Sequence, residues 1–190
     1  MYNYIKETGG DDAHFVCVNE KVIGVTDGVG GWAGIGVNAG LYARELMSNS
    51  VGAILNEPKD GIDPFRVLTR LEPILLQKLR DPQQPASYVL KKKGDGCTVF
   101  ESPVQQHGFN FTYQLECSSR SDQPSSGQVF MIPVVPGDVI VVGTDGLFDN
   151  LFSNERALDR HKQTPFSTAD KEVGFRYYGG KLDDITVVVS

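Results

Sequence analysis

The chain has 190 residues, 40% of them hydrophobic and 22% charged, as expected for a globular protein able to bury a sizeable core. Its net charge of −6 speaks against a general nucleic-acid or anionic-membrane binder, which needs a basic face, and no apolar run approaches a membrane span. Cys17, Cys97 and Cys117 are odd in number and form no C-x-x-C pair, so the expectation is small buried hydrophobes in a reducing compartment rather than a disulfide frame or a zinc site.

Structured-looking sequence is under way by His14, so no signal or transit segment is expected before it. His14–Val18 and Val22–Thr26 are β-rich runs separated by Asn19-Glu-Lys21, a pattern that predicts a hairpin. The second run leads into Asp27-Gly28-Val29-Gly30-Gly31-Trp32. A helix is predicted from Asn38, a suitable N-cap, to Leu55, with Leu41, Leu46, Val51 and Leu55 at roughly helical spacing. A second helix runs from Pro64 to Leu79, and Pro73 should kink or split it. Residues 80–96 read as a solvated loop, with Lys91-Lys92-Lys93 on its surface. Strands are predicted at Cys97–Phe100, Val129–Ile132 and Asp138–Gly143, punctuated by turns at Pro124–Gly127 and Val135–Gly137. Ile185–Val189 is a continuous apolar β-run of the kind found inside a sheet. Strands at both ends around a helical middle predict an α+β protein in one domain, residues 1–190.

Three aspartates share a setting. Asp27 and Asp145 each follow an apolar strand and precede a glycine, and Asp183 stands just before the last strand after Gly179-Gly180-Lys181-Leu182. Asp11-Asp12 precedes the first strand. A single Asp-Gly most often marks a turn. Four acidic sites flush with apolar strands point instead to a cluster for hard divalent cations, which take oxygen ligands and offset the cost of gathering like charges. Glycine beside a ligand lets the backbone approach closely and offer its carbonyl.

Thr26-Asp27-Gly28-Val-Gly-Gly-Trp-Ala33, Gly143-Thr-Asp145-Gly-Leu-Phe-Asp-Asn150 and Gly180-Lys-Leu-Asp183-Asp184-Ile-Thr186 resemble, in order, three signature blocks of the type 2C metal-dependent protein serine/threonine phosphatases. The Gly-Gly-Trp variant and Gln105-Gln-His-Gly-Phe-Asn110 are similar to a eukaryotic subgroup found in plants and mitochondria. The resemblance spans most of residues 5–66 and 97–190, and 71–96 match poorly. It implies a β-sandwich flanked by helices and two Mg2+ or Mn2+ ions per chain. By position, Asp27 would bridge the metals, Gly28 would lend its carbonyl, and Asp145 and Asp183 would complete one shell. Asp11 and Asp12 would serve the other metal through water, with Asp184 in support. The implied activity is removal of phosphate from phosphoserine and phosphothreonine in a phosphoprotein substrate. Neither nucleic acid nor membrane is an expected partner, and a monomer is expected. The cell compartment implied is intracellular: mitochondrion, chloroplast, or cytoplasm where no import segment has been removed.

Two positions depart from the family pattern. Val29 stands where many members have a histidine proposed as general acid, and the phosphate-gripping arginine has only Lys6 as a weak counterpart. The stretch that should supply a hydroxyl-rich strand and a Leu-Gly-Asp-Ser-Gly turn is missing or replaced, and so is a helical region after Asn150. Asp95-Gly96 fits the hairpin turn just after that stretch. A shortened homologue that is impaired or inactive, binding a metal or a partner, is therefore the alternative reading. Gly34-Ile-Gly36-Val-Asn-Ala39 matches a dinucleotide fingerprint but lies too far beyond its strand. His14, His107 and His161 have no supporting pattern, and Trp32 is expected to pack beside the metal loop. A nuclease of the two-metal type is disfavoured by the acidic charge.

Overall fold

A computed structural model describes residues 4–5, 10–31, 36, 38–58, 61–78, 88–93, 97–115, 122–151, 164–177 and 179–190. The chain divides into two compact units, Met1–Pro85 with Tyr113–Met131, and Ala86–Thr112 with Ile132–Ser190. Among the described residues no helix is long and apolar enough to cross a membrane.

The first unit begins with an antiparallel sheet in the order β1 (Tyr4–Ile5), β2 (Ala13–Cys17), β3 (Val22–Thr26). Strict alternation along β2 turns Ala13, Phe15 and Cys17 inward. The predicted hairpin is present, with Ala13 opposite Thr26 and Cys17 opposite Val22. Lys21 closes its turn in the left-handed region, φ 56°. Phe15 lies over Gly24: a methyl group there would come within 2.1 Å of the ring, so this strand glycine makes room for the largest side chain of β2.

Helix α1 (Ala39–Leu55) starts as the sequence predicts, with the Asn38 side chain accepting a 2.9 Å hydrogen bond from the Leu41 N–H. Tyr42, Ala43, Leu46, Met47 and Ile54 face the sheet, and Val67 and Leu71 of α2 (Pro64–Lys78) close the core from the other side. The Tyr42 hydroxyl finds an acceptor in the Leu115 carbonyl at 3.4 Å. Glu57, fully buried in its side chain, is held by Arg66 and Arg70, each at 2.6 Å. Of the expected kink or split at Pro73, the split does not occur: α2 runs on to Lys78. One missing hydrogen bond is outweighed where Val67 and Leu71 anchor the turns before it. Leu46 is fully buried, so Leu46→Ala is expected to cost about 2–5 kcal/mol through lost burial and the cavity left behind. Urea unfolding read by circular dichroism checks this, and a shift near zero would mean the core collapses around the gap.

The second unit holds a four-stranded antiparallel sheet in the order β5 (Thr98–Glu101), β4 (Tyr88–Lys92), β8 (Val139–Gly143), β9 (Val187–Val189). Three sequence expectations are corrected here. The lysine-rich stretch read as a loop is largely β4, a central strand. Lys91 is buried rather than solvent-facing, paired with Asp138 at 2.8 Å and donating to the Pro133 carbonyl. The lysine ammonium and the Val135 N–H together hold the Asp138 carboxyl below the usual carboxylate range. Second, Val129–Ile132 forms no strand; Val129, Phe130 and Met131 are exposed, since β propensity needs a neighbouring strand to act on. Third, the final strand lies at the sheet edge, not its interior, and Val187 and Val189 are exposed. Cys97 is also exposed, against expectation, whereas Cys17 is buried. Cys117, Trp32, His161 and the turn at Gly94-Asp95-Gly96 lie outside the described residues.

A hairpin of β6 (Gln106–Gly108) and β7 (Phe111–Thr112) turns at Asn110, φ 53°. Phe109 of that turn packs against Phe166, which meets Tyr177 edge-on with ring centroids 5.3 Å apart. Phe166 belongs to α4 (Pro165–Glu172), opened by a capping box between Thr164 and Ser167.

Candidate metal centre

In the first unit β3 delivers Asp27, 3% exposed, directly to Gly28. A methyl group on Gly28 would sit 2.2 Å from the Asp11 carbonyl oxygen, so only glycine lets these two backbones meet. The acidic pair is fixed from the other side, because Arg44 of α1 donates to the Gly10 carbonyl at 3.3 Å. Asp12 is buried at 1% exposure. The sequence-predicted residues Asp11, Asp12, Asp27 and Gly28 are thus brought together at one end of this sheet. Val29 follows, partly buried. Lys6 lies outside the described residues.

In the second unit β8 passes through Thr144 into the short helix α3 (Asp145–Phe148), whose first residue is Asp145. Thr144 and Thr186 exchange hydrogen bonds, N–H to carbonyl at 3.1 Å and N–H to hydroxyl at 3.2 Å, and so bring residues 183–186 alongside α3. Asp183 and Asp145 come together around Lys181, whose Nζ lies 2.5 Å from Asp145 Oδ2, 2.9 Å from Asp183 Oδ2 and 3.4 Å from Asp149 Oδ2. Asp184 contributes backbone: its N–H donates to Asp183 Oδ1 at 3.0 Å and its carbonyl accepts from the Thr144 hydroxyl at 3.4 Å.

Three carboxylates against one ammonium leave an excess of negative charge in a partly buried place. Burial, reinforced by the neighbouring Asp145 and Asp183, pushes Asp149 up to about 6 even though Lys181 pulls it down. Burial likewise raises Asp183. Burial alone would lower the Lys181 ammonium, but Asp145 and Asp183 outweigh it and raise it. Asp145 Oδ1 is buried and, among the described residues, accepts no hydrogen bond. A desolvated, negatively charged oxygen beside a second carboxylate is the donor chemistry that a hard divalent cation takes, so Asp145 and Asp183 fit such an ion.

Asp149, Asn150 and Lys181 fell within the quoted blocks, but sequence reasoning gave them no role. A lysine two residues before a predicted metal ligand was the available signal for Lys181. For Asn150 there was none, because its partner lies 31 residues away.

An α+β frame that ends its strands in carboxylates of this kind is an arrangement that metal-dependent hydrolases use. The chain is 50% identical to probable protein phosphatase 2C 55 of Arabidopsis thaliana over 96% of its length and 48% of that protein's. It is 49% identical to probable protein phosphatase 2C 80 of the same plant, over 96% and 54% respectively. Its fold matches that of the photosystem II phosphatase PBCP with a TM-score of 0.79 at 24% identity, covering 98% of this chain and 96% of that one. No family model matches the chain. The chain belongs to the protein phosphatase 2C family, with the α+β fold of its members. It spans about half the length of these two plant relatives. The match to the first runs over 226 aligned positions against 190 residues, so at least 36 of those positions have no counterpart here (226 − 190).

Proposed function

We propose that this chain, as one phosphatase-like domain, removes phosphate from phosphoserine and phosphothreonine in proteins at a centre of two Mg2+ or Mn2+ ions. The observation that carries the reading is the open, buried Oδ1 of Asp145 beside Asp183, in a chain half identical to a type 2C phosphatase. Asp27, Asp145 and Asp183 would hold the ions, with the Gly28 carbonyl and, through water, Asp11 and Asp12. The first three each offer a carboxylate oxygen, Asp27 and Asp145 from buried positions and Asp183 from an exposed one. When bound, such ions supply Lewis-acid charge to phosphoryl oxygens and make water acidic near neutral pH.

The protein's own part is to bind and orient. Burial of Asp145 keeps competing water from its Oδ1, and Lys181 fixes the other oxygen while its ammonium also reaches Asp183. Among the described residues Val29 provides no proton donor where a histidine stands in many relatives, so the leaving group takes its proton from solvent-derived water. The partner is a phosphoprotein; neither nucleic acid nor membrane is required, and the chain acts as an intracellular monomer.

The positions absent relative to the plant phosphatase favour a second reading, a homologue that binds metal or a partner without turnover. Hydrolysis of a phosphothreonine peptide by the purified chain, with Mn2+ and again with EDTA, separates the two. Mn2+-dependent release of phosphate is expected. A rise in melting temperature with Mn2+ but no release would favour the second reading.

A further inference from the structure

We infer that Asn150 is a positioning residue of the metal centre, setting the separation between Asp145 and Asp183. The inference rests on the metal reading above. Its side-chain nitrogen donates twice, to the Gly146 carbonyl at 2.8 Å and to the Lys181 carbonyl at 3.0 Å. Two carbonyls can be satisfied together only by the NH2 end of the amide, which fixes its orientation. One bond grips α3 one residue after Asp145. The other grips the following segment two residues before Asp183. The amide therefore joins the two backbones that carry the two ligands.

Other contacts hold the same segment at its start, and Thr144 holds it past Asp183, at Asp184 and Thr186. The Tyr177 hydroxyl donates to the Gly180 carbonyl at 3.1 Å, and the Thr164 hydroxyl to the Gly179 carbonyl at 3.1 Å. Between Gly180 and Asp183 it is Asn150 that grips the backbone, at Lys181. Lys181 makes the link consequential, because its backbone is held by Asn150 while its ammonium spans Asp145 and Asp183. Releasing the carbonyl moves the ammonium and Asp183 together.

Gly180 is the counterpart of this device. A methyl group there would lie 2.3 Å from Asn150 Oδ1, with the side-chain carbon at 3.2 Å. The amide thus meets the segment it holds by its oxygen end, and a side chain at 180 would push it away.

The test is a double-mutant cycle read by calorimetric titration with Mn2+, alongside circular dichroism and melting of each metal-free variant. Asn150→Ala is expected to weaken Mn2+ binding about tenfold or more, the scale seen when groups that orient metal ligands are lost. Gly180→Ala should weaken it comparably in the wild-type background. In the Asn150→Ala background, where nothing is left to displace, it should add less than about twofold. Should Asn150→Ala not fold, Asn150→Ser, which keeps a donor too short to reach both carbonyls, is expected to show a smaller loss in the same direction. Affinities within about twofold of wild type, even with a lowered melting temperature, would reduce Asn150 to a structural role and overturn the inference. Independent, multiplying effects of the two substitutions would overturn it as well. A wild-type chain that binds no Mn2+ would overturn the metal reading itself, and this one with it.

Discussion

Replacing Asp145 with asparagine is expected to lower Mn2+-dependent hydrolysis of a phosphopeptide by about a hundredfold or more, while the metal-free chain stays folded. Groups that merely orient metal ligands cost 10–100-fold when lost, and a ligand should cost at least the upper end of that range. Asparagine keeps the shape and an oxygen but removes the charge that a hard cation needs. The fold should tolerate the change because Lys181 keeps two carboxylate partners, Asp183 and Asp149. Taking one negative charge from a crowded, desolvated group also relieves repulsion, so the metal-free melting temperature should hold or rise. The rise normally brought by Mn2+ should shrink. Turnover near the wild-type rate in a folded variant would remove Asp145 from the metal shell.

Gly146→Ala should act on both fold and site. The added methyl would lie 2.0 Å from the Asp184 carbonyl oxygen and 3.3 Å from Asp183 Cβ. Backbone must move rather than a flexible side-chain tip, and that backbone is tied to Thr144 by three hydrogen bonds. A cost of about 3 kcal/mol, the upper end for forced overpacking, is expected. In a chain of this size that corresponds to a fall of about 6–12 °C in melting temperature. Asp183 would be displaced with its neighbour, so Mn2+ affinity should fall too, which differential scanning calorimetry with and without Mn2+ can check. A stable variant with normal Mn2+ affinity would show that the 183–186 segment yields more readily than its hydrogen bonds suggest.

The parts of this molecule legible in its sequence are those governed by neighbours along the chain. Alternation in β2, the Asn38 cap and the start of α1 follow from contacts within a few residues. Aspartates at strand ends were legible because glycine beside them left a pattern, and the order of three blocks turned that pattern into a family resemblance. What could not be read depends on distant partners. Lys91 looks like a surface residue until Asp138, 47 positions on, is seen to neutralise it. Val129–Ile132 has strand composition without a strand to join, and the last strand is apolar enough for an interior yet lies at an edge. Asn150 belongs with these, since its role exists only through Lys181.

The buried pair of Lys91 and Asp138 has a consequence for how the central sheet finds its alignment. In the observed pairing Lys92 lies opposite Val139 and Lys91 opposite Ile140. Sliding β4 by one residue in the direction that puts Leu90 in its place would turn Lys91 to the other face, separate it from the carboxylate and leave Asp138 without its cation. Such misaligned pairings are penalised by charge rather than by shape, much as a key is refused by one wrong tooth. The start of the lysine run thereby sets a stop to sliding in that one direction.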